Sequence, residues 1–77
     1  MPRAFVLFNV ESGSEDEVLK QLKTISAVKE AYVSYGVYDL ITKVETDTMN
    51  ELKEVVNHKL RKISQVRSTL TLMMMEE

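Results

Sequence analysis

The chain has 77 residues, with 10 Lys and Arg against 12 Asp and Glu, for a net charge of −2. That length is one small domain, and the acidic balance excludes a broadly basic nucleic-acid surface, so no direct nucleic-acid partner is expected. No cysteine and one histidine exclude disulfides, thiolate metal sites and a histidine-rich metal cluster, and no cofactor is expected.

No segment approaches the roughly 18 apolar residues of a membrane span. Met1-Pro2-Arg3 leads straight into a strand-like segment with no signal-peptide pattern, so the expectation is a cytoplasmic protein. So short a domain is marginally stable alone, and without staples its remaining support is oligomerisation.

Residues 3–11 read as a strand, and the run Phe5, Val6, Leu7, Phe8 suggests burial on both faces. Ser12-Gly13-Ser14 breaks it. A helix is expected over 14–25, opened by a Ser14/Glu17 capping box and carrying Val18, Leu19, Leu22 and Ile25 on one stripe. A strand over 28–35 puts Ala31, Val33 and Tyr35 on one face. Gly36 then permits a tight hairpin into a strand over 38–45. Thr48 and Glu51 form a second capping box for a helix over 48–62, with Met49, Leu52, Val56, Leu60 and Ile63 on its apolar stripe. A last strand covers 66–75.

Lys23-Thr24-Ile25-Ser26-Ala27-Val28-Lys29 is echoed by Arg61-Lys62-Ile63-Ser64-Gln65-Val66-Arg67. The halves therefore read as two copies of one β-α-β unit. The fold class is α+β, a ferredoxin-like β-α-β-β-α-β order with a four-stranded antiparallel sheet and two helices on one face. The opposite face should be polar if it meets water. Instead Phe5 and Leu7 lie on one side of the first strand and Ala4, Val6, Phe8 and Val10 on the other. Leu70, Leu72 and Met74 likewise alternate with Met73 and Met75. A second apolar face of this size reads either as strand ends that simply carry extra hydrophobic residues or as the seat of a second sheet packed on it, from another copy of the chain.

The stretch 34–44, with Gly36, Tyr38 and Asp39, and the stretch 63–72, with Val66, Thr69 and Thr71, together resemble the effector domain of the Lrp/AsnC family of transcriptional regulators, the RAM domain. The resemblance covers nearly the whole chain, 1–77. It lacks room for the helix-turn-helix of full-length members, so the stand-alone domain is expected and DNA binding is not carried over. The resemblance implies dimers paired through their sheets, rings of eight or so chains, and an amino acid bound between subunits near the Gly-x-Tyr-Asp turn. It also implies co-assembly with full-length Lrp/AsnC regulators.

The candidate ligand residues are Tyr35, Gly36, Val37, Tyr38, Asp39, Ser68, Thr69 and Thr71. Asp39 either receives the ammonium of an amino acid or caps the turn through nearby backbone N–H groups. Gly36 serves turn geometry or close approach of a ligand carboxylate. Tyr35 and Tyr38 wall a pocket or pack in strands. Thr69 and Thr71 share one face of the last strand and offer hydroxyls, or are ordinary strand residues. His58 reads as a solvated helix residue. Met73, Met74 and Met75 read as edge packing or a subunit contact, with Glu76 and Glu77 as charged gatekeepers. The function expected is a non-catalytic amino-acid-sensing and oligomerisation module. The competing readings are an ACT-like domain using the Ser12-Gly13-Ser14 loop, a ligand-free assembly protein, and a small dimeric α+β barrel enzyme.

Overall fold

The computed structural model describes residues 1–74. Its elements are β1 (Arg3–Val10), α1 (Glu15–Lys23), β2 (Val28–Val33), β3 (Leu40–Glu45), α2 (Met49–Val55) continued by a π-helical turn (Val56–Leu60), and β4 (Val66–Met74). The strands form one antiparallel sheet in the order β2-β3-β1-β4, the ferredoxin-like arrangement. The expected positions of Met75, Glu76 and Glu77 lie outside the described residues.

The first strand corrects the expectation of burial on both faces. It alternates strictly: Ala4, Val6, Phe8 and Val10 are buried while Phe5 and Leu7 stay half-exposed. The buried set joins Leu40 and Val44 of β3, Val18 and Leu22 of α1, and Leu52, Val55, Val56 and Leu60 of the second helix in one core. One polar side chain is fully enclosed there. Thr42 donates its hydroxyl to the Val6 carbonyl at 3.1 Å, which removes the cost of burying it. Met49, placed on the apolar stripe by spacing, is exposed instead.

Helix starts differ in a way the sequence did not distinguish. Thr48 has an extended backbone, φ −129° and ψ 158°, and accepts the Glu51 N–H at 3.1 Å. Ser14 sits at φ −98° and ψ 3°, which carries its hydroxyl away from the helix N–H groups, and it caps nothing with its side chain. The first helix is also shorter than expected, ending at Lys23 rather than residue 25. The second is not uniform. Beyond Val55 it widens into a π turn, closed by the Arg61 N–H on the Val56 carbonyl at 3.2 Å.

The internal echo is reproduced bond for bond. Val28 N–H reaches the Ile25 carbonyl and Val66 N–H the Ile63 carbonyl, each at 3.0 Å. Each strand then opens on a bulge. Lys29 in β2 and Arg67 in β4 stand unpaired between registered neighbours. These two basic residues occupy the same place in the two halves.

The register assigns every side chain to a face. Leu7 pairs with Ile41 and Leu70, and Ile41 with Tyr32, so these four form a row on the side away from the helices. Phe5 with Leu72 and the Lys43–Glu30 pair forms the next row. Tyr32 is 57% exposed, Leu70 40% and Leu72 48%. The apolar second face expected from the sequence is therefore present and uncovered in the single chain.

Candidate functional site

The connection between β2 and β3 is six residues, not a tight hairpin. β2 stops at Val33 and β3 starts at Leu40, so Tyr35 and Tyr38 belong to a loop rather than to strands. Gly36 takes φ +142°, and a Cβ there would meet nothing within 4 Å. The demand for glycine at this position is thus backbone conformation alone. Tyr35 and Val37 project at the loop tip, 97% and 83% exposed, while Tyr38 is half-buried.

Asp39 fastens this loop to the end of β1. Its backbone N–H donates to the Phe8 carbonyl at 2.8 Å, and its own carbonyl accepts the Ser34 N–H at 2.8 Å. The last registered pair between β1 and β3 is Phe8 with Leu40. Beyond it the Val10 N–H has no β3 rung to meet, and a buried donor requires a partner. Asp39 Oδ2 supplies one at 2.9 Å. One carboxylate oxygen therefore carries the turn-capping role; among the described residues no backbone N–H donates to the other.

Across β1 from Asp39 lies the β4 bulge. Ser68 pairs with Asn9, whose side-chain amide donates to the Ser68 hydroxyl at 3.3 Å. Together Asn9, Val10, Asp39, Arg67 and Ser68 line a cleft of about 470 Å³. On the other side of Asp39, a groove of about 500 Å³ runs between Gly13, Glu15 and Asp16 of the first loop and helix and Ser34 and Tyr35. Asp39 is common to both. The chemistry differs: the cleft offers a carboxylate and a guanidinium, the groove only carboxylates.

The eight residues grouped by sequence do not all converge. Asp39 and Ser68 share the cleft, and Tyr35, Gly36 and Asp39 share the groove. Val37 and Tyr38 line neither. Thr69 and Thr71 face the helix side, because they pair with the buried Phe8 and Val6, and they line a third groove beneath the second helix. Sequence reasoning missed Asn9 and Arg67. Arg67 lies inside the quoted stretch 63–72, but only the bulge brings it to the cleft.

Elsewhere the chemistry is sparse. No group of three or more metal-ligating side chains occurs among the described residues, and no described helix is long and apolar enough to cross a membrane. His58 is exposed and 4.0 Å from Glu54, as a solvated helix residue should be. On the open sheet face the Tyr32 phenol donates to Glu30 at 2.9 Å. That hydrogen bond first, and the carboxylate's charge second, raise the tyrosine above its ordinary value.

The family model described as the Lrp/AsnC ligand binding domain matches residues 3–77. The regulatory protein AsnC of Haemophilus influenzae is 38% identical over 61 residues, covering 79% of this chain and 41% of that protein. An uncharacterised helix-turn-helix-type transcriptional regulator of Pyrococcus furiosus is 35% identical over 72 residues, covering 90% of this chain and 48% of its own. The chain thus spans about half the length of the curated relatives it matches. Among solved structures, a hypothetical protein of Pyrococcus horikoshii superposes with a TM-score of 0.94 at 44% identity, covering 100% of this chain and 93% of that one. E. coli AsnC gives a TM-score of 0.90 at 26% identity, covering 99% of this chain and 52% of that one.

Proposed function

The chain belongs to the Lrp/AsnC ligand-binding domain family, and on that premise we propose that it is a non-catalytic effector module that senses an amino acid and assembles with copies of itself. The observation that carries this reading is that Asp39 and Arg67 line one cleft, at the rim of an uncovered apolar sheet face. A zwitterion needs both charges. Asp39 receives the ammonium through its second oxygen, Arg67 takes the carboxylate by a charge-assisted fork, and Asn9 and Ser68 add neutral hydrogen bonds. Stacking a second sheet on the open face closes the cleft from above, so the ligand sits between subunits. Tyr35, Gly36, Val37 and Tyr38, in the loop beyond Asp39, meet the ligand or the next dimer of a ring. Co-assembly with full-length regulators of the family uses the same sheet face.

The test is thermal stability against all the common amino acids for the parent, Asp39→Ala and Arg67→Gln. A ligand present at one hundred times its Kd stabilises by about 2.7 kcal/mol. At least one amino acid should raise the parent Tm saturably, and both variants should lose that rise. Undiminished binding by both variants would overturn the assignment. A second reading, a ligand-free assembly protein, is favoured by one observation: Asp39 already accepts the Val10 N–H. It takes precedence if no amino acid stabilises the parent.

A further inference from the structure

Thr69 and Thr71 are turned from the Asp39 cleft and help to build a separate groove of about 410 Å³ between the second helix and β4. Lys53, Asn57 and Arg61 line its helix side, and Val56 and Met73 supply apolar surface. No carboxylate lines it among the described residues. Its charge is thus opposite to that of the groove beside Tyr35, which holds Glu15, Asp16 and Asp39. We propose that this groove is a second binding site, selective for a small organic carboxylate with an aliphatic tail, and independent of the amino-acid cleft.

Three features support the site. First, Arg61 lies beside Asn57, its Nη1 making a long, exposed hydrogen bond to Asn57 Oδ1 at 3.4 Å, and the rest of the guanidinium fork remains available to an anion. Second, the helix departs from α geometry along this groove. The π turn over Val56–Leu60 inserts a residue into the helical ladder while Val56 and Leu60 stay buried. Such turns cost stability and recur at functional positions. Third, β4 is an edge strand, so the groove is open along one side and needs no conformational opening. Two cations, one amide and two hydroxyls meet a carboxylate. With no acidic side chain in its lining among the described residues to receive an ammonium, an amino acid gains less there than the corresponding acid without the amine. Met73, 43% exposed, is the apolar wall for the tail.

The test is an amide-resolved NMR titration of the full chain with hexanoate, hexylamine and inorganic phosphate as probes. Hexanoate should shift Lys53, Asn57, Arg61, Thr69 and Thr71 saturably, and hexylamine should not. Arg61→Gln, an exposed change that leaves the core intact, should weaken hexanoate at least tenfold. Thr71→Val should weaken it several-fold, and Asp39→Asn should leave it unchanged. Three results would overturn the proposal: no saturable shift in this groove, unchanged binding by Arg61→Gln, or phosphate binding as tightly as hexanoate. The last would mean an unselective anion site. Because Asp39→Asn removes the ammonium partner of the other cleft only, failure there and failure here are separable.

Discussion

Asp39 ties together two kinds of constraint in a single residue. Its backbone bonds to Phe8 and Ser34 shape the loop, and its carboxylate completes β1 by taking the Val10 N–H. Asp39→Ala leaves that donor without its partner, at a cost of about 1–3 kcal/mol. Asp39→Asn keeps an acceptor and should lose less, which chemical denaturation of the two variants will separate. Gly36→Ala is a purely conformational change, since open space surrounds the position but φ is +142°. It should cost about 1–3 kcal/mol, with no change in the core's NMR signature. Tyr32 gives a pH prediction. Its pKa is raised above 10.0 by Glu30, so the neutral phenol is favoured in the folded state. The stability linked to it is present below pH 10 and fades as pH rises through the raised value. Glu30→Gln should return the Tyr32 titration, followed by tyrosinate absorbance, to the ordinary tyrosine range.

The two helix starts form a natural experiment at the scale of elements. Both carry a Ser or Thr followed three residues later by Glu, yet only Thr48 has the extended backbone that aims its oxygen at the helix. Thr48→Ala should therefore cost about 1 kcal/mol, equivalent to a Tm fall of roughly 4–8 °C in a domain of this size. Ser14→Ala should leave Tm nearly unchanged. The paired bulges at Lys29 and Arg67 are the other element-level device. Each lets a strand leave its helix with one apolar residue, Val28 or Val66, packed against the core, and then return to register. In β2 the bulge residue sits far from the loop, whereas in β4 it lines the Asp39 cleft. One repeated piece of local structure thus has a chemical consequence in only one half.

For the whole molecule, the decisive feature is the row Tyr32, Ile41, Leu7 and Leu70, with Phe5 and Leu72 alongside. Burying one large apolar side chain contributes roughly 1.5–3 kcal/mol, and a second sheet packs face to face at about 10 Å. A partner sheet would therefore supply stability that an 8.9 kDa domain without disulfides gains from no covalent staple. Leu70→Asp places a charge at a position already 40% exposed in the single chain, so it should spare the fold and dissociate the assembly. Light scattering of the parent should give a multiple of 8.9 kDa and of the variant a mass near the single chain. A parent that scatters as a monomer at micromolar concentration would remove the assembly argument.

What the sequence determined by itself is the set of features that depend on neighbours along the chain. The grouping of Ala4, Val6, Phe8 and Val10 on one face of β1, the helical stripes around Leu22 and Leu52, the Ile-Ser-x-Val echo and the order β-α-β-β-α-β follow from local spacing, and each is present; the strict alternation of burial in β1 is not among them. The doubly apolar strands also foretold an uncovered face. What only the tertiary structure decided is how distant segments register. The family resemblance places Thr69 and Thr71 in one site with the Gly36 turn, although the two motifs lie far apart in the chain. Pairing with the buried Phe8 and Val6 sends them to the helix side instead. Arg67 enters the Asp39 cleft through a bulge, and the Val10 N–H finds Asp39 because β3 begins at Leu40, opposite Phe8, and offers no rung beyond it. Such choices are settled by which strand lies beside which and by backbone groups that must be satisfied across long sequence separations. A one-residue slip in pairing reverses the face of every side chain in a strand, and no local pattern in β4 records where that slip occurs.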